Sequence, residues 1–154
     1  MLATFSLALP PVSKYNPRMP TDHCCEQPPA ELAVAIEEFN QGLFFECHET
    51  LEELWMAEPR PIRHLYQGIL QIGVAFHHLK RARYRPVCTL LVRGSGYLEP
   101  FSPDCMGVNV NYLLDSAARC LAEVERLGPE NLRQFDWSLI PRLEMSSHID
   151  RQKE

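Results

Sequence analysis

Leu65-Tyr66-Gln67-Gly68-Ile69-Leu70-Gln71-Ile72-Gly73-Val74-Ala75-Phe76-His77-His78-Leu79 contains no Asp, Glu, Lys or Arg. Its apolar residues fall on most sides of a helix instead of alternating as in a half-buried strand. A helix that is apolar nearly all round has to be surrounded by other helices. The run is shorter than the roughly 20 residues a membrane span needs, so it predicts the central helix of a water-soluble bundle. Pro61 suits a first helical position, and the helical period carries on to about Ala82.

The pattern extends in both directions. Upstream, Phe44 to Met56 reads as a helix stopped before Pro59 and Pro61. Before that, Leu32, Ala35, Ile36 and Phe39 recur at helical spacing, entered through Pro28-Pro29 and ended by Gly42. Downstream, a fourth helix is predicted over about Pro86 to Tyr97 and a loop at Pro100 and Pro103. A fifth runs from Val110 to Leu127, with Leu113, Leu114, Ala117, Leu121 and Val124 on one stripe and Gly128-Pro129 as its stop. Trp137 and Ile140 are expected to pin the C-terminal segment onto the bundle. With no alternating strand of useful length and no repeat, the fold class is all-α: a small antiparallel helical bundle of about five helices.

Six of the 13 prolines fall within residues 1–29, which predicts an extended arm. The expected organisation is therefore an arm over 1–29, a bundle over 30–145 and a tail over 146–154. Met19 lies inside the arm, and a start there would remove little that packs. The 154 residues, 45% of them hydrophobic, suffice for one core. Fifteen basic residues against 20 acidic ones leave a net charge of -5, which argues against a nucleic-acid partner. Cys24, Cys25, Cys47, Cys88, Cys105 and Cys120 form no C-x-x-C pair and follow no export signal. They read as thiols in a reducing, cytoplasmic setting.

The chemistry-bearing stretch is Phe44-Phe45-Glu46-Cys47-His48-Glu49-Thr50-Leu51-Glu52-Glu53-Leu54-Trp55. At about 100° per residue, His48 falls on the apolar face with Phe44, Cys47, Leu51 and Trp55. Glu52 sits at the edge of that face, Glu49 at its border, and Glu46 and Glu53 opposite it. Phe44 and Trp55 are the expected core aromatics. On the central helix Gln67, Gln71 and His78 lie within about 40° of one another, while His77 falls on a different face. If the two helices pack antiparallel across their short connection, His48 and Glu52 approach Gln67 and Gln71, with His78 further along towards Phe44.

Phe39-Asn40-x-Gly42-x-Phe44-Phe45-Glu46-x-His48-Glu49-x-Leu51-Glu52-x-Leu54-Trp55, followed by Tyr66-Gln67-Gly68-Ile69-x-Gln71, resembles the signature of the domain of unknown function 309 family, over roughly residues 30–125. The resemblance implies an all-helical fold and an uncharacterised protein of bacterial, archaeal or plastid type, with no reaction attached. His48, Glu49, Glu52, Trp55, Gln67 and Gln71 occupy its motif positions. The chain departs from it at Cys47, where the family usually has Ala, and over Ala82-Arg83-Tyr84-Arg85-Pro86-Val87, which replaces its usual Gly-containing turn pattern.

Three readings compete for the polar cluster. In the first, preferred on sequence, His48, Glu52, Gln67 and Gln71 satisfy one another as a buried network that fixes helix register, making the chain a binding or structural module. In the second, His48 and Glu52 are metal ligands at i and i+4 and Glu49 is the general base of a small metal-dependent hydrolase. That alternative alone requires a cofactor, a divalent cation such as zinc or manganese. In the third, the cluster takes a small ligand. H-E-x-x-E lacks the second histidine of a zinc peptidase. Lys80, Arg81, Arg83, Arg85 and Arg93 read as a solvated helix end. The pattern implies no membrane partner and leaves a second copy of the chain open as one.

Overall fold

The computed structural model describes residues 21–146, and the expectations for residues 1–20 and for the tail beyond 146 lie outside it. Among the described residues there are five α-helices: α1 (Ala30–Asn40), α2 (Phe44–Ala57), α3 (Arg63–Lys80), α4 (Tyr84–Leu98) and α5 (Val110–Leu127). The all-α bundle expected from the periodicity is the fold found. Each helix packs on its predecessor as far as α4, and α5 packs on α4. Short 3-10 turns cover Glu99–Phe101, Leu132–Gln134 and Trp137–Leu139.

α3 occupies the middle, as its lack of charge requires, and every residue from Leu65 to Phe76 is buried. It runs antiparallel to α2. Phe44, at the start of α2, lies 5.6 Å from Phe76 near the end of α3. The Arg63 guanidinium, at the start of α3, lies 4.5 Å from the Trp55 ring near the end of α2. Phe39 of α1 reaches the same core, edge-on to Phe44 and Phe76 at 5.4 and 5.9 Å.

α3 and α4 are also antiparallel, and they approach more closely than ordinary side chains permit. A Cβ on Gly68 would lie 2.6 Å from Leu98 Cγ and 3.0 Å from the Gly94 carbonyl oxygen. One on Gly94 would lie 2.7 Å from Ile72 Cγ1 and 3.0 Å from the Gly68 oxygen. Gly94 is thus a packing residue inside α4. α4 begins at Tyr84, two residues before the expected Pro86; Pro86 fits there because the first-turn N–H groups have no intrahelical partner.

A two-stranded hairpin precedes α5: β1 (Asp104–Cys105) pairs antiparallel with β2 (Val108–Asn109). Met106 and Gly107 supply the two positive φ values, 49° and 84°, of a two-residue turn. The Asn109 side chain then caps α5, accepting from the Tyr112 N–H at 2.9 Å. The hairpin gathers distant parts of the chain. Met106 N–H donates to the Cys24 carbonyl at 2.7 Å, and Ser146 N–H donates to the Gly107 carbonyl at 2.9 Å.

Here the thiol reading of the cysteines is corrected. Cys24 and Cys105 form a disulfide, their Cα atoms 4.4 Å apart, and both are buried. Their sequence separation is 81, so only the hairpin's placement reveals the pair. The reducing-compartment inference loses the six-thiol footing it stood on. Cys25, Cys47, Cys88 and Cys120 are free; burial pushes the thiols of Cys47 and Cys120 up to about 12, leaving both unreactive. No helix among the described residues is long and apolar enough to cross a membrane.

The C-terminal segment returns to the bundle, with Ile140 packing as expected and Trp137 not. Trp137 is 42% exposed. Leu132, Phe135 and Leu143 are the buried anchors, while Ile140 packs partly buried against the core. Asn40 clamps Leu143 with two bonds, donating to its carbonyl at 2.7 Å and accepting its N–H at 2.8 Å.

Candidate functional site

His48 and Glu52 follow each other by one turn on α2, and His48 Nε2 lies 3.0 Å from Glu52 Oε2. His48 is buried, whereas the Glu52 side chain stays 29% exposed. Glu46, Glu49 and Glu53 are exposed, so Glu49 stands outside the buried cluster. Burial, seconded by the neighbouring His77, pushes the His48 imidazole down to about 4. At neutral pH it is therefore an uncharged ring, its Nε2 held 3.0 Å from the Glu52 side chain.

The antiparallel register sets the heights. With Phe44 at the level of Phe76 and Trp55 at the level of Arg63, His48 stands at about the height of Gln71 and Glu52 at about that of Gln67. His78 lies beyond the start of α2, beside Lys80, which donates to the Gly42 carbonyl at 2.6 Å and sits 5.0 Å from the Phe44 ring. His77 belongs to the α2 side. Its ring is 6.3 Å from Phe45, and Phe45 is 6.2 Å from His48. It is His77, not His78, that acts on His48.

Gln67, Gln71 and His78 are 2%, 6% and 7% exposed. They lie on the side of α3 between its contacts with α2, made through Arg63 and His77, and those with α4, made through Gly68 and Ile72. Gln67 Oε1 is 3.3 Å from His64 Nδ1. The His64 ring is stacked on Tyr97 of α4, 5.4 Å away at 11°. His64 was missed in the sequence, although its place three residues before Gln67 puts it on the same polar stripe.

The cluster does not close on itself. Gln67 Nε2 and Gln71 Oε1 are buried and have no hydrogen-bond partner among the described residues, and the same holds for Trp55 Nε1, His77 Nε2 and His78 Nδ1. Buried polar atoms are nearly always partnered, so this concentration on α2 and α3 sets the region apart. Among the described residues no three His, Cys, Asp or Glu side chains are grouped to hold a metal ion.

Residues 32–90 match the model of a family described as Domain of unknown function (DUF309). That stretch belongs to the DUF309 family. The DUF309 match begins inside α1 and stops inside α4, short of the roughly 30–125 suggested by the motifs, and it contains the whole cluster from His48 to His78. The hairpin, the disulfide partner Cys105 and α5 lie outside it. No curated protein and no solved structure matches the chain.

Proposed function

We propose that the chain is a non-catalytic helical binding module whose ligand site is the polar cluster on the side of α3 that lies between α2 and α4. The observation that carries this reading is the buried, unpartnered pair of Gln67 Nε2 and Gln71 Oε1. A network kept for register earns its place by mutual satisfaction, because a half-satisfied one costs more than an apolar core. A binding site leaves donors and acceptors for its ligand and gives up stability for them.

Gln71→Leu tests the distinction without knowledge of the ligand. Leu is similar in volume and removes the unpartnered acceptor, whose burial costs about 1–3 kcal/mol. The binding reading expects an unchanged or raised melting temperature. A loss of more than about 1 kcal/mol would return the cluster to the structural reading. The metal alternative rests on the His48–Glu52 pair and is decided by the same assay: a drop with chelator, reversed by zinc or manganese, would move the assignment to it.

A further inference from the structure

Gln67 and Gln71 are one turn apart, about 6 Å along α3, and both are more than nine-tenths buried. One presents an unused donor, the Nε2 amide, and the other an unused acceptor, the Oε1 carbonyl. The position of His64 Nδ1 beside Gln67 Oε1, 3.3 Å away, ties that end of the Gln67 amide and leaves its nitrogen as the unused end.

We infer that this pair recognises an uncharged group carrying both a carbonyl and an N–H, such as a carboxamide, a ureide or a nucleobase edge. The ligand carbonyl accepts from Gln67 Nε2, and its N–H donates to Gln71 Oε1. The inference rests on the binding reading above and specifies its chemistry. A carboxylate offers acceptors alone and an ammonium donors alone, so either would leave one glutamine stranded without a partner in a buried setting. An alcohol has both functions on one atom and does not span the turn as an amide does. The surroundings agree with an uncharged ligand, since Val74 and the stacked His64–Tyr97 pair lie along the same side of α3.

An isosteric series tests this on the whole chain: propionamide, propionate, n-propylamine and 1-propanol, each added at tens of millimolar to isotope-labelled protein. NMR follows the side-chain amide signals of Gln67 and Gln71. Propionamide is expected to shift both signals saturably, the other three to shift neither, and Gln71→Leu to abolish the Gln67 response. Saturable shifts with propionate, propylamine or propanol in place of propionamide would overturn the amide assignment and leave the binding site standing. No saturable shift with any probe would overturn the inference. A destabilised Gln71→Leu protein would separately overturn the binding reading beneath it.

Discussion

His48 makes the fold acid-labile with a sign that its partner alone would not suggest. Burial and the adjacent His77 lower its titration from 6.5 to about 4. Between those values the unfolded chain binds a proton that the folded chain refuses, so stability present above pH 6.5 is lost as the pH falls towards 4. At about 1.4 kcal/mol per pH unit, the depression amounts to about 3 kcal/mol. The groups facing the ring are Glu52 on its own helix, at 3.0 Å, and His77 on α3. Burial also lowers His64, His77 and His78, so the wild-type curve alone does not isolate His48. The assay is urea unfolding of wild type and His48→Gln from pH 8 to pH 4. The wild-type advantage should shrink by up to about 3 kcal/mol across that range. Parallel curves would refute the reasoning. An advantage that grows on acidification would mean that the Glu52 carboxylate holds His48 protonated, reversing the balance of burial against charge.

Trp55→Ala should cost about 3–5 kcal/mol in the same unfolding assay, because the ring is 8% exposed and also carries the Arg63 guanidinium; Met56→Ala, at a position 70% exposed, should cost little. Gly94→Val should lower the melting temperature sharply, since even a Cβ there lies 2.7 Å from Ile72 and 3.0 Å from the Gly68 carbonyl, and retention of the wild-type value would show that α3 and α4 are further apart than described. Cys105→Ser should destabilise by about 2–4 kcal/mol, because the Cys24–Cys105 bond closes a long loop. A reductant should lower wild type to the same level and leave the variant unmoved.

Periodicity and proline punctuation carried most of the fold. Val110 and Leu127 bound α5 at both predicted ends, since a strongly amphipathic stripe meets an Asn cap on one side and Gly128 on the other. Phe44, His48, Leu51 and Trp55 share the buried face that their spacing implies. Contacts between distant residues were not legible. Cys24 and Cys105 meet because a two-residue turn at Met106-Gly107 folds back, and nothing local to Cys24 signals it. Gly68 and Gly94 look like helix weakeners until α3 and α4 are superposed at that height. Trp137 shows the limit of hydrophobicity as a guide: it is exposed while its neighbour Phe135, 5.7 Å away, is buried. At the site, Gln67 and Gln71 could be placed together by arithmetic on one helix. Whether they satisfy one another depends on side-chain reach, which spacing does not encode.

A double-mutant cycle on Gln67→Leu and Gln71→Leu, read by urea unfolding, tests the claim that the cluster is open to a ligand and not closed as a network. Two glutamines with no bond between them should give a coupling within about 0.5 kcal/mol of zero, with the Gln71→Leu background at least as stable as wild type. A coupling of about 1 kcal/mol or more, with Gln71→Leu destabilising on its own, would show that the pair supports the fold and contradict the binding site.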